Sequence, residues 1–209
     1  MSVRVFWDVD TQVDFMLPHG RLYVGGAETL APNLARLTNY AHDNEIRILA
    51  SSDNHDPGDE EISENPDFKT TFPPHCLRNT PGQARIPETR LKDPLIVEPE
   101  DAEANVLSSL NRHDGDVLFH KHYFDVFTNP NVVPVLNALG VTDVTLYGVA
   151  LDVCNRYAVE GLLKNSPKIA ITVVTDAVRA LDEDSRCTLL DDWQQRGVTL
   201  KAASELLHR

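Results

Sequence analysis

The stretch "DVTLYGVALDVCNRYAVEGLLKNSPKIAITVVT", residues 143–175, decides how this chain folds. Its first eight residues are almost all apolar or β-branched. Residues 153–164 carry apolar side chains at helical spacing, and "KIAITVVT" at the end is apolar and β-branched again. Strand, helix and strand in that order form a βαβ unit, in which the crossover makes the two strands parallel and lays the helix on one face. A nearly unbroken apolar strand is the pattern of one covered on both faces.

The same rhythm runs outward in both directions. "VRVFWDV", "IRILASS", "PLIVEP" and "DVLFHKH" precede it as strands, and "GVTLKAA" follows as a further candidate. Helical patterns fall at residues 28–43, 102–112, 131–139, 153–164 and 182–196. The expected fold is therefore α/β: a parallel sheet of about six strands with helices on both faces. No Gly/Ser-rich or Pro-rich linker divides the 209 residues, so residues 1–209 are expected to form one domain. Residues 56–89 are the exception, rich in Pro, Asp and Glu and without periodicity, and a loop of that length in a compact domain is usually functional or disordered.

Charge narrows the range of partners. With 32 acidic residues against 19 Lys and Arg, the formal net charge is −13, which argues against nucleic acid and anionic membrane surfaces. There is no apolar run of about 18 residues, and "MSVRVFWDVD" lacks the basic and apolar regions of a signal peptide, so a cytoplasmic location is expected. Cys76, Cys154 and Cys187 are odd in number and widely spaced, which favours free thiols in a reducing compartment.

Ligands of open parallel sheets bind beyond the carboxyl ends of the strands, and Asp10, Asp53, Lys121 and Cys154 each fall at or just after such an end. Singly, each has an ordinary explanation as a turn cap, a solvated charge or a core thiol. Together they describe a nucleophile and its helpers. A helix starting near Cys154 would favour the thiolate, and Lys121 would favour it further. Asp10 would take the thiol proton and return it to a leaving amine. That chemistry is acyl transfer from an amide.

"FWDVDTQVDF", "LFHKHYFDVF" and "GVALDVC" resemble, in that order, the Asp, Lys and nucleophile motifs of the isochorismatase-like cysteine hydrolases, and the resemblance runs across nearly the whole chain. It implies a catalytic triad of Asp10, Lys121 and Cys154. It also implies a non-proline cis peptide between Val149 and Ala150, with the amides of Ala150 and Cys154 forming an oxyanion hole.

A second constellation lies in "SSDNHDPGDEEISENPDFKTTFPPHC". Asp53 and His55, two apart on an extended segment, point the same way, and His75 follows in the same loop. Two imidazoles and a carboxylate suit Zn²⁺ or another borderline divalent ion. D-x-H followed by P-x-H-C resembles the metal site of the nicotinamidase branch, whose ion holds the pyridine nitrogen of the substrate. Asp67 and Glu64 are candidates for a further ligand, whereas Cys76, next to His75, would point away. Phe15 and Phe72 stand where that branch places rings around a flat heteroaromatic substrate, and core packing would use the same residues.

The chain departs from that branch in having Asn54 where Trp is common, the acidic residues 59–61 where a second His is common, and "YFDVF" after Lys121. The expected partner is a small-molecule amide, with no nucleic acid, no membrane and a homo-oligomeric assembly. Two alternatives stand beside this: a metal-free relative acting on an isochorismate-like or ureido/carbamoyl compound, and a non-catalytic binding protein on the same fold. The first leaves Asp53, His55 and His75 without a purpose, and the second predicts loss of a triad residue.

Overall fold

The computed structural model describes residues 2–207. Seven parallel strands form one sheet: β1 (Arg4–Val9), β2 (Ile48–Asp53), β3 (Leu95–Val97), β4 (Val117–Lys121), β5 (Asp143–Val149), β6 (Ala170–Arg179) and β7 (Thr199–Lys201). Their spatial order is β3-β4-β2-β1-β5-β6-β7. The count exceeds the expected six because "GVTLKAA" does pair, Thr199–Lys201 lying against Thr172–Val174 at the sheet edge.

The helices are α1 (Val13–Met16), α2 (Ala31–Asp43), α3 (Glu103–Leu110), α4 (Val132–Leu139), α5 (Cys154–Asn165), α6 (Glu183–Gln195) and α7 (Ala203–Leu206). The alternation of side chains along a strand divides the core into two layers. Trp7 on β1, with Leu49, Phe119, Leu146 and Val173, packs against α3, α4, α5 and α6 through residues such as Val106, Leu136, Leu162 and Trp193. Phe6, Ile48, Tyr147 and Val174 face the other way, onto Leu34 and Leu37 of α2 and Ala203 of α7. β1 and β5 are covered on both faces, which is why their sequences are nearly continuous in apolar residues. None of the described helices is long and apolar enough to cross a membrane.

β6 runs beyond the expected "KIAITVVT". Leu146 pairs with Val173 but Gly148 pairs with Val178, so β6 bulges opposite the end of β5. Gly148 sits there at φ 118°, and a Cβ on it would lie 2.0 Å from the carbonyl oxygen of Val9. Only glycine permits this approach of β5 to β1.

Residues 56–89 hold a single helical turn, Pro87–Thr89, and short bridges instead of regular elements. His55 bridges Leu77 and Ile62 bridges Phe72, folding the loop back over the ends of β2 and β4.

Candidate active site and metal cluster

The carboxyl ends of the four central strands deliver the polar residues. Asp10 follows β1 at φ 49°, a left-handed conformation that Asp tolerates better than most residues. Its carbonyl accepts from the amide of Gln12 at 2.8 Å, closing a tight turn. Asp53 ends β2, and the Gln12 side chain continues the ladder past the strand: its Nε2 donates to Asp53 O at 2.8 Å and its Oε1 accepts from Asp53 N at 2.7 Å. Lys121 ends β4, and Cys154 is the first residue of α5, just past β5.

Lys121 is fully buried and stands at the centre of these groups. Its Nζ lies 3.0 Å from Asp10 Oδ2 and 3.7 Å from Cys154 Sγ, and pairs with Asp53 Oδ1. Asp10 Oδ1 accepts from Ser51 Oγ at 2.7 Å. The structure therefore brings the three triad candidates together. The peptide between Val149 and Ala150 is cis. Outside the helices and strands, no hydrogen bond among the described residues starts from the amide of Ala150 or Cys154.

Electrostatics sets these buried groups apart. Burial pushes the Asp10 carboxyl above its ordinary range against the pull of Lys121, while Asp53 pushes it up further. Burial acts on Asp53 in the same direction but is outweighed by Lys121, His55 and His75, which hold it well below the carboxylate range. Burial likewise opposes the charge on Lys121, and Asp10 and Asp53 more than compensate, keeping it well above a free lysine. Of these two neighbouring carboxylates, pushed in opposite directions, Asp10 is the readier to take a proton. The surroundings of Cys154 oppose the thiolate that the sequence leads one to expect. Burial, joined by Asp10 and Asp53, overrides the help from Lys121 and pushes the Cys154 thiol well above its ordinary range.

Beside this centre, Asp53, His55, Glu61 and His75, all buried, offer ligand atoms within 4.8 Å of one another. Asp53 Oδ2 lies 3.7 Å from His55 Nε2 and 3.5 Å from His75 Nε2, and Glu61 Oε1 lies 3.8 Å from His75 Nε2. Both Nε2 atoms and Glu61 Oε2 are buried without a hydrogen-bond partner, a costly arrangement for three polar atoms converging on one point. Burial, then the Asp53 charge, pushes the Glu61 carboxyl up to about 7. A divalent cation relieves all of these costs at once, and two imidazoles with two carboxylates are a donor set that suits Zn²⁺ or a similar borderline ion. The residues fit a metal.

Glu61 is a ligand candidate that the sequence did not single out. It lies in an acidic run that looks like a solvated turn, and only the pairing of residues 61–63 with Phe72 turns it inward: Phe72 N donates to Glu61 O at 2.7 Å and Ser63 N to Phe72 O at 2.9 Å. The two alternatives are elsewhere. Asp67 caps an exposed turn, accepting from the amides of Lys69, Thr70 and Thr71, and Glu64 is exposed. Cys76 points away as expected, its Sγ toward Gly82 O at 3.9 Å.

A cleft lined by Phe15, Val24, Phe72, Phe124 and Leu181 reaches both Cys154 and His75. The Phe15 ring centroid is 5.4 Å from that of His75, and Phe72 meets His75 edge-on at 6.3 Å and Phe124 edge-on at 6.2 Å. Phe124 belongs to "YFDVF", so that departure supplies a wall of the cleft. Asn54 lies outside it, donating to His120 Nδ1 at 3.0 Å.

A family model described as the Isochorismatase domain matches residues 8–205. A nicotinamidase/pyrazinamidase of Mycobacterium tuberculosis is 28% identical over 209 residues, spanning 97% of this chain and 100% of that protein. Among solved structures, an isochorismatase family protein from Desulfovibrio vulgaris matches with a TM-score of 0.77 at 20% identity, covering 99% of this chain and 97% of that one. The pyrazinamidase of Pyrococcus horikoshii in complex with zinc matches with a TM-score of 0.73 at 20% identity, covering 96% and 99%. At these identities the two structures speak for the fold.

Proposed function

Because the chain belongs to the isochorismatase family, we propose that it is a cysteine amidohydrolase of the nicotinamidase type, converting nicotinamide and water to nicotinate and ammonia. The observation that carries this reading is the sharing of Asp53: one carboxylate oxygen meets the lysine beside a buried thiol, and the other faces a buried His/Glu/His cluster. A metal-free hydrolase has no use for the second half of that arrangement. The 28% identical nicotinamidase/pyrazinamidase, matched over its whole length, supports the substrate class.

In this mechanism Phe15 and Phe72 hold the flat ring of the substrate. Asp10 takes the thiol proton as Cys154 Sγ bonds to the amide carbon, and the carbonyl π electrons move onto oxygen, where the amides of Ala150 and Cys154 donate to them. When the carbonyl re-forms, the C–N bond breaks and Asp10 returns its proton to the departing ammonia. Water then attacks the thioester, with Asp10 accepting its proton and handing it back to sulfur as the carboxylic product leaves. Lys121 stays charged throughout and holds Asp10 and Cys154 in register. When bound, a divalent ion held by Asp53, His55, Glu61 and His75, zinc in this reading, supplies a Lewis-acid contact for the pyridine nitrogen. The same reading takes residues 1–209 as one hydrolase domain, acting in cytoplasmic pyridine nucleotide salvage as a homo-oligomer.

The test is ammonia release from nicotinamide and benzamide, with and without chelator. Nicotinamide should be turned over, lose its rate on chelation and regain it with added Zn²⁺, and benzamide should be a poor substrate throughout. Ammonia release indifferent to both chelator and ring nitrogen would exclude nicotinamidase while keeping a cysteine hydrolase.

A further inference from the structure

His55 has two ring nitrogens in different settings. Nε2 faces the cluster unpartnered, while Nδ1 lies 3.2 Å from Asp59 Oδ2. That same oxygen accepts from Asp56 N at 3.0 Å, and His122 Nδ1 lies 3.4 Å from it as a close charge contact without hydrogen-bond geometry; His122 Nε2 in turn lies 3.2 Å from Glu100 Oε1. A row of alternating carboxylates and imidazoles thus leads from the buried cluster to the surface. None of its outer members belongs to the reaction described above.

A neutral imidazole carries one proton, and which nitrogen holds it is set by the hydrogen bonds the two nitrogens make. An acceptor at Nδ1 keeps the proton there and leaves the Nε2 lone pair for a cation. His75 is served in the same way, but by a main-chain atom: its Nδ1 lies 2.8 Å from Pro73 O. No substitution removes a carbonyl. At His55 the acceptor is a side chain, and it comes from residues 59–61, one of the stretches in which this chain departs from its branch.

We propose that Asp59 is a positioning residue for the metal cluster, holding His55 in the Nδ1–H tautomer with Nε2 turned inward, and that His122 braces Asp59 from the solvent side. This rests on the metal reading above. Removing an outer partner of this kind typically costs about 10–100-fold in metal affinity. Glu100, the last member, is exposed and contributes least.

The experiment measures Zn²⁺ affinity of the full chain by competition with a chromophoric chelator and the His55 tautomer by nitrogen-15 NMR. Wild type should bind one ion per chain with His55 as the Nδ1–H form. Asp59→Ala should lose about 10–100-fold in affinity and show a mixed tautomer. Asp59→Asn keeps an acceptor oxygen and should recover most of that loss, and His122→Ala should weaken binding by less than Asp59→Ala. An Asp59→Ala protein with unchanged affinity overturns the proposal and leaves the metal reading intact. Weakened binding with His55 still purely Nδ1–H also overturns it, because Asp59 would then serve only its turn. Should Asp59→Ala not fold, Asp59→Leu, which also lacks an acceptor, takes its place: unchanged affinity and tautomer there overturn the positioning role, and wild-type affinity in His122→Ala overturns the brace. Absence of Zn²⁺ binding by wild type removes the metal reading itself, a failure distinct from the others.

Discussion

Asp53 and Lys121 form the joint of this site: Asp53 Oδ1 pairs with Lys121 Nζ, and Asp53 Oδ2 faces His55 and His75. Asp53→Asn weakens both sides of the joint, whereas His75→Ala touches the cluster alone. Both variants should lose bound metal, and Asp53→Asn should also alter the rate at which Cys154 reacts with iodoacetamide in metal-free protein. Equal thiol reactivity in the two variants would show that the halves are not coupled through this carboxylate.

The proton carrier is tested by Asp10→Asn, which keeps the size of the side chain and its acceptor for Ser51. Turnover should fall by about 10²–10⁴-fold, the usual worth of a general base, while circular dichroism and Tm stay near wild type. A near-normal rate would leave the thiol without a proton acceptor.

The buried thiol sets an order of reactivity. Because burial holds Cys154 well above the ordinary thiol range, alkylation at neutral pH should fall first on exposed Cys187. Cys154 labelling should rise as the solution becomes alkaline, and Cys154→Ala should abolish turnover. Mass mapping of modified peptides decides it. Fast neutral-pH labelling of Cys154 would mean a resting thiolate.

At Gly148 the fold itself is at stake. An alanine there combines a Cβ 2.0 Å from Val9 O with a φ of 118°, so Gly148→Ala should destabilise by about 2–5 kcal/mol, summing an unfavourable backbone and an overpacked contact. Urea unfolding measures this directly.

Glu160 on α5 accepts from Arg196 at 2.7 Å and from Trp193 Nε1 at 3.0 Å, tying α5 to α6. The Arg196 hydrogen bonds outweigh its partial burial and lower its carboxyl from the ordinary 4.5. A lowered carboxylate stabilises the fold above its unfolded value and ceases to do so as pH falls through the folded one. Both side chains are more than a third exposed, so the gain is at most about 1 kcal/mol. Glu160→Gln should therefore lower Tm slightly at pH 7, with the difference closing below pH 4.5.

Much of this was legible in the sequence because strand ends are legible. Asp10, Asp53, Lys121 and Cys154 could be placed from the apolar runs that precede them, since a parallel sheet sends all its carboxyl ends to one edge. Glu61 and Asp59 could not. Their neighbours are Pro, Gly and acidic residues without a period, and what turns Glu61 inward is the bridge of Ile62 to Phe72, whose pairing no local pattern announces. The opposition to a thiolate at Cys154 was hidden for a different reason. A helix start and a nearby lysine are visible in sequence, but the two carboxylates that oppose them, and the depth of burial, belong to the assembled site.

The strand order has a consequence for how the protein is made. β1 lies between β2 and β5, so one side of β1 can pair once Ile48–Asp53 has been synthesised, while the other waits for Asp143–Val149. In that interval the inner edge of the sheet, with Phe6 and Trp7 among its side chains, is open to other chains. Nascent chains that have not yet reached β5 are thus the species most open to mispairing, and Cys154 and Asp10 meet only when that gap closes.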